Sequence, residues 1–204
     1  FEASGCPNPG SAPTYNTING AVRRARGDID AGKSDFLLLE LNCTEDDLAN
    51  VNAYYNGWDR STTGSPSGVS IHHPSGDIKK ISTYTTTLVS GTFNTCPANA
   101  HWKAPWANGG TSLGVTEGGS SGSPLFNNNK LVVGTLSGGP SYCGVAAANC
   151  YDLYGKFDYH WESNGTTDDV KLKPWLDPTN TGSTTCPGRA PNSGAAGITA
   201  QFIA

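Results

Sequence analysis

Methionine is absent from these 204 residues and charge is scarce: Asp, Glu, Lys and Arg make up 15% of the chain, with a formal net charge of -4. A sparsely charged, mildly acidic chain carries no basic stripe to neutralise phosphates, so no nucleic-acid partner is expected. Long apolar runs are missing too. The longest, Phe36 to Leu39 and Leu131 to Val133, fall far short of the roughly 20 residues a spanning helix needs, so no membrane partner is expected. The six cysteines, Cys6, Cys43, Cys96, Cys143, Cys150 and Cys186, include no Cys-x-x-Cys pair. That removes the commonest zinc and dithiol motifs, and an even count without them fits an oxidised, secreted protein; buried free thiols of a cytosolic enzyme are the competing reading. Two Asn-x-Thr sequons, at Asn42 and Asn164, are compatible with secretion but too common by chance to support it. No leader is seen and Phe1 is not a start residue, so either a leader was removed or the chain begins partway through a longer protein.

What is abundant is turn chemistry. With 26 glycines, 13 prolines and many Ser, Thr and Asn residues, short strands joined by irregular loops are expected, an all-β fold. Residues 1–34 are polar and aperiodic and read as a long loop. Phe36 to Leu41 is a short apolar run with polar flanks, better suited to a buried strand than to a helix. Further strands are predicted at Val51 to Tyr55, Gly68 to His72, Ile78 to Tyr84, Thr86 to Thr92, Ser123 to Phe126, Lys130 to Ser137 and Tyr151 to Tyr159. Phe126 to Lys130 has the asparagines of a hairpin turn, and Asp168 to Leu176 is the one helix candidate, interrupted by Pro174. A Pro/Gly/Thr-rich tail follows Pro178.

The most informative stretch is Gly119-Ser120-Ser121-Gly122-Ser123-Pro124. A serine hydroxyl becomes a useful nucleophile only when a base takes its proton and donors stabilise the resulting oxyanion. Glycines on both sides permit a turn tight enough to aim the N–H groups of Gly119 and Ser121 at one point, and Pro124 fixes the exit. An ordinary Ser/Gly surface loop is the competing reading. Asp35 stands at the mouth of the first apolar strand, where a carboxylate is held rigidly enough to keep an imidazole in one tautomer. A solvated strand-end Asp is its bland alternative, but Asp35 is better placed than Asp28, Asp30, Asp46 or Asp47.

Eight ordered segments, among them Asp35-Phe36-Leu37-Leu38-Leu39-Glu40-Leu41, Gly57-Trp58-Asp59-Arg60, Ile71-His72-His73-Pro74, Gly114-Val115-Thr116-Glu117, the Gly119 to Pro124 run and Gly138-Gly139-Pro140-Ser141-Tyr142-Cys143, give the chain a family likeness. It resembles serine endopeptidases of the trypsin and chymotrypsin fold, and within them the bacterial lysyl endopeptidases. The resemblance spans Cys6 to Asp177. It implies a chymotrypsin-like double β-barrel whose first barrel is incomplete, with a short C-terminal helix. Residues 1–45 would be the remnant of the N-terminal barrel, 46–178 the C-terminal barrel and 179–204 a tail. It further implies Ser121 as nucleophile, the Gly119 and Ser121 amides as oxyanion hole, Asp35 as the acid that orients the catalytic histidine, and Asp152 as the pocket acid. A buried carboxylate selects a cationic side chain, because a neutral one leaves it unpaired. Ser137, Gly138 and Gly139 would form the edge that pairs with the substrate backbone. The family carries a histidine where this chain has Ser137, and its partner tryptophan has no clear counterpart, although Trp102 and Trp106 lie nearby.

No histidine precedes Asp35, where the resemblance places the general base. His72 and His73 fall in a non-catalytic segment of the family, and neighbouring strand residues point to opposite faces, so that pair is a poor chelator and neither a metal nor a cofactor is expected. His101 and His160 read as structural. Truncation is the simplest account: the strands that carry the histidine, and the family partners of Cys6 and Cys143, would lie before Phe1. The expectation is therefore a secreted, monomeric serine endopeptidase with a polypeptide substrate, cleaving after Lys or Arg and nearly inactive without its missing N-terminal segment. The alternative is a catalytically dead homologue that binds peptides or scaffolds.

Overall fold

The computed structural model describes residues 16–107 and 114–192. Strand β1 (Ala21–Arg26) pairs antiparallel with β2 (Leu37–Leu41), with a bulge between Arg23 and Ala25. The long loop expected before Asp35 therefore contains a strand. Its Ala-Val-Arg-Arg-Ala-Arg sequence hid it, because Ala25 is its only buried residue and no alternation marks an inward face. Helix α1 (Glu45–Asn50) comes next, fixed by a capping box in which the Thr44 hydroxyl accepts from the Asp47 amide and the Asp47 carboxylate accepts from the Thr44 amide. The strand expected at Val51 to Tyr55 does not form; only Tyr55 makes a bridge, to Arg189.

The remaining strands are β3 (Trp58–Asp59), β4 (Gly68–His72), β5 (Lys80–Tyr84), β6 (Val89–Gly91), β7 (His101–Pro105), β8 (Pro124–Asn127), β9 (Val132–Gly138), β10 (Tyr151–Lys156) and β11 (Thr185–Cys186). They form one sheet in the order β5-β4-β8-β9-β10-β7-β6, with β3 added parallel to β9 and β11 paired to β3. Strand β7 escaped the sequence reading. The β8–β9 turn forms as expected, but Lys130 rather than an asparagine takes the left-handed conformation, at φ 64°. The Asn127 side chain compensates by accepting the amides of Asn129 and Leu131. After Lys156 the chain winds directly into α2 (Phe157–Glu162), so the strand predicted to reach Tyr159 stops short. The predicted helix at 168–176 splits into a 3-10 turn (Asp168–Val170) and α3 (Lys173–Leu176), with Pro174 in the first turn, where its missing N–H costs nothing.

Two cores hold this arrangement. Tyr84, Trp102, Trp106, Leu125, Leu136 and Tyr154 fill the large sheet. Ala25, Phe36 and Leu38 of the small sheet meet Trp58, Phe157, Trp161 and Leu176 in the second. There Trp58 stacks on Phe157 at 5.4 Å and lies 4.8 Å from Trp161. Each such fully buried side chain contributes about 1.5–3 kcal/mol, so the aromatic trio clamps the C-terminal helices onto the β1–β2 sheet. The architecture is the expected all-β, chymotrypsin-like one, a half-barrel with a short C-terminal helix. Cys43, Cys96, Cys150 and Cys186 are free thiols and Cys143 is disulfide-bonded. Cys6 lies outside the described residues, as does the tail from 193 onward.

Candidate active site

The turn before β8 is built by an uneven use of its amides. Ser120 N donates to Glu117 O at 3.0 Å, Gly122 N to Leu136 O at 2.7 Å and Ser123 N to Ser120 O at 3.0 Å. The amides of Gly119 and Ser121 make no hydrogen bond among the described residues. Gly119 and Gly122 sit at φ 95° and 82°, which side chains rarely adopt, and a Cβ on Gly119 would also press within 3.3 Å of His73 O and Ser75 N. Ser120 is buried and Ser121 is exposed, so the two adjacent hydroxyls face opposite ways.

Asp35 reaches the same place from the small sheet. The residue before it, Ser34, donates its amide and its hydroxyl to Asn164 Oδ1 at 2.9 and 3.0 Å, and accepts from Asn164 Nδ2 at 2.8 Å. Asn164 thus clamps Ser34 through both ends of its buried side-chain amide. The residue after Asp35, Phe36, is buried beneath His160, with ring centroids 4.7 Å apart. Held on both sides, the half-buried Asp35 carboxyl is pushed above the usual carboxylate range by burial, and the Ser137 hydroxyl opposes the shift. The Ser137 Oγ also lies 3.0 Å from His101 Nε2. His101 is fully buried, and burial, aided by the Lys156 charge, lowers it to about 4, so it stays neutral. Neighbouring residues of β9 thus tie the two parts together, Leu136 by accepting the Gly122 amide and Thr135 by donating its hydroxyl to Asp35 O at 3.4 Å.

Asp152, on β10, is 1% exposed. Its Oδ2 accepts from Trp106 Nε1 and Thr116 Oγ1, both at 2.6 Å, and from the Ser141 hydroxyl. All three donors are neutral, and among the described residues no Lys or Arg pairs with this carboxylate. Oδ1 faces Gly139, where an added Cβ would lie 2.3 Å from it. Gly138, at φ 148°, pairs with Leu153 and lies under the Phe93 ring.

The family model for the C-terminal domain of lysyl endopeptidase matches residues 1–155. The chain belongs to the lysyl endopeptidase family. It is similar to the lysyl endopeptidase of Pseudomonas aeruginosa, with 34% identity over 151 residues that cover 70% of this chain and 30% of that protein. The chain thus spans about a third of the relative it matches.

The residues singled out in the sequence, Asp35, Gly119, Ser121, Ser137, Gly138, Gly139 and Asp152, gather around the C-terminal end of β9. Sequence reasoning missed the groups that hold them. Thr116 and Ser141 lay inside family segments without a role, and Trp106 was noted only as a nearby tryptophan. Phe93 had no signal, and His72 and Asn164 were noted only as part of a non-catalytic segment and as a sequon, because their partners are far away in sequence. The four histidines are engaged away from the Ser121 hydroxyl. His72 bonds Ser120 and Ser82, His73 Nδ1 lies 3.1 Å from Asp77 O, His101 serves Ser137, and His160 is buried against Phe36.

Proposed function

We propose that this chain is the nucleophile-bearing part of a secreted, monomeric serine endopeptidase that cleaves after Lys, with Arg the second choice. The single observation that carries the reading is the exposed Ser121 in a turn whose Ser120, Gly122 and Ser123 amides are bonded while those of Gly119 and Ser121 are not. Ser121 Oγ attacks the scissile carbonyl carbon as its proton passes to a histidine. The carbonyl oxygen, now negative, is met by the two unspent amides. The tetrahedral species expels the amine, which takes that proton, and water then releases the acyl group from Ser121. Asp35, held between the Ser34–Asn164 clamp and the buried Phe36, orients the imidazole. Asp152 stands where a substrate side chain passing Gly139 would end, and its neutral donors leave the negative charge for an ammonium or guanidinium to match.

His72, His73 and His101 are hydrogen-bonded elsewhere and His160 is fully buried against Phe36, so the general base is assigned to a part of the protein outside these residues. That same observation favours the second reading, a peptide-binding homologue without turnover. The test is turnover of Lys and Arg peptides by the full-length protein and by Asp152→Asn. Loss of the Lys preference, with kcat/KM down on the order of 100-fold, supports the pocket assignment. Unchanged selectivity removes Asp152 from it, and no turnover by the wild-type protein leaves the binding homologue.

A further inference from the structure

We infer that His72 is a positioning residue for the nucleophile turn, acting through Ser120, an inference that rests on Ser121 being the nucleophile. His72 ends β4 and is 2% exposed. Its Nε2 lies 2.8 Å from Ser82 Oγ, and Ser82 donates its own proton to Val115 O at 2.8 Å. Nε2 must therefore carry the imidazole proton, which leaves Nδ1 with a lone pair. Nδ1 lies 2.9 Å from Ser120 Oγ and accepts its proton. Burial, with the adjacent His73, holds the ring near about 4, so it is neutral and can fill this donor-and-acceptor role at ordinary pH.

The rest of the segment grips the same turn. Ser75 N donates to Gly118 O at 2.7 Å, Ser75 Oγ donates to Glu117 Oε2 at 3.1 Å, and the Glu117 amide reaches Ser120 Oγ at 3.4 Å. Ser120 stands between the two residues whose amides are unspent. A rotation of Ser120 tilts both amides at once, and a shift of an ångström at a reacting group can cost about 100-fold in rate. His72 is thus the link between Ser82 and Ser120 in a chain that runs from Val115 to the turn that presents Ser121.

Three variants of the full-length protein test this. Gln at position 72 places its amide where Nε2 stands and loses the acceptor for Ser120; Asn places an oxygen where Nδ1 stands and keeps it. His72→Gln and Ser120→Ala are expected to lower kcat by about 10- to 100-fold with KM within about twofold, and to slow phosphonate labelling of Ser121 alike. Their double variant should be no slower than the worse single, and His72→Asn should recover most of kcat. Equal loss in Gln and Asn, or wild-type kcat in Ser120→Ala, overturns the inference even if His72→Gln fails to fold. Amide hydrogen exchange at Gly119 to Gly122 in the 204-residue chain separates the two claims. An unreactive wild-type Ser121 refutes the nucleophile, whereas equal exchange in the wild-type and Ser120→Ala chains refutes the positioning.

Discussion

Acid should destabilise this protein through three buried histidines. His72, His101 and His160 are 2%, 0% and 0% exposed. Burial lowers the first two to about 4 and the third to about 3, against 6.5 for an ordinary imidazole. Every folded value lies below the unfolded one, so the unfolded chain takes up protons first as the pH falls. Their contribution is therefore intact above about pH 6.5 and is lost progressively down to the folded values. At about pH 5 each histidine removes about 2 kcal/mol, about 6 kcal/mol in total, against a usual stability of about 5–15 kcal/mol. Asp35 and Asp158 act in the opposite sense, since burial raises both and the folded state gains their protons first. The assay is urea unfolding at about pH 7.5, 6.5 and 5, read as the midpoint at constant m. His160 isolates one share, because both its ring nitrogens lack a partner among the described residues, so His160→Leu gives up no hydrogen bond there at neutral pH. That variant should flatten the acid slope by about a third. An equal midpoint at about pH 7.5 and 5, or a His160→Leu slope equal to wild type, refutes the reasoning.

Gly139→Ala would place a Cβ 2.3 Å from Asp152 Oδ1 and 2.8 Å from Tyr151 O, contacts that backbone cannot yield. A loss of about 1–3 kcal/mol is expected, seen as a Tm lower by several degrees; an unchanged melt contradicts it. Thr44→Ala removes the hydroxyl half of the α1 capping box, the acceptor for the Asp47 amide, and should cost about 1 kcal/mol in urea unfolding, while no change would mean the backbone half and the Arg189–Glu45 pair suffice to hold the helix. Trp161 is 2% exposed, packs on Trp58 and carries the Arg60 guanidinium 4.9 Å above its ring, so Trp161→Ala should cost about 3–5 kcal/mol by the same measurement. A loss under about 1 kcal/mol would show that the second core does not clamp the C-terminal helices.

Features written into adjacent residues were legible in the sequence. The Gly119 to Pro124 run announces its turn through glycines that must take positive φ, and Gly68 to His72 is bounded by turn residues at both ends. Elements stabilised by contacts far away in sequence were not legible. Strand β1 is exposed along most of its length and exists because β2 pairs with it, and α2 continues the aromatic run of β10 with nothing to mark the change until Phe157 and Trp161 meet Trp58. The site follows the same rule. Asp35, Ser121 and Asp152 stood out as residue types that carry chemistry, but the carboxylate of Asp152 is shaped by Trp106, Thr116 and Ser141, which come from three separate segments. The bond between Asn164 and Ser34 joins residues 130 apart in the chain, so neither residue announces it alone.

The account turns on Ser121. Full-length protein treated with a serine-reactive phosphonate and mapped by peptide mass spectrometry should carry the label on the Gly119 to Pro124 peptide, at Ser121, and lose it in Ser121→Ala. Absence of label in the folded wild-type protein, or label that persists undiminished in Ser121→Ala, would contradict the assignment of this chain as the nucleophile-bearing part of a serine endopeptidase.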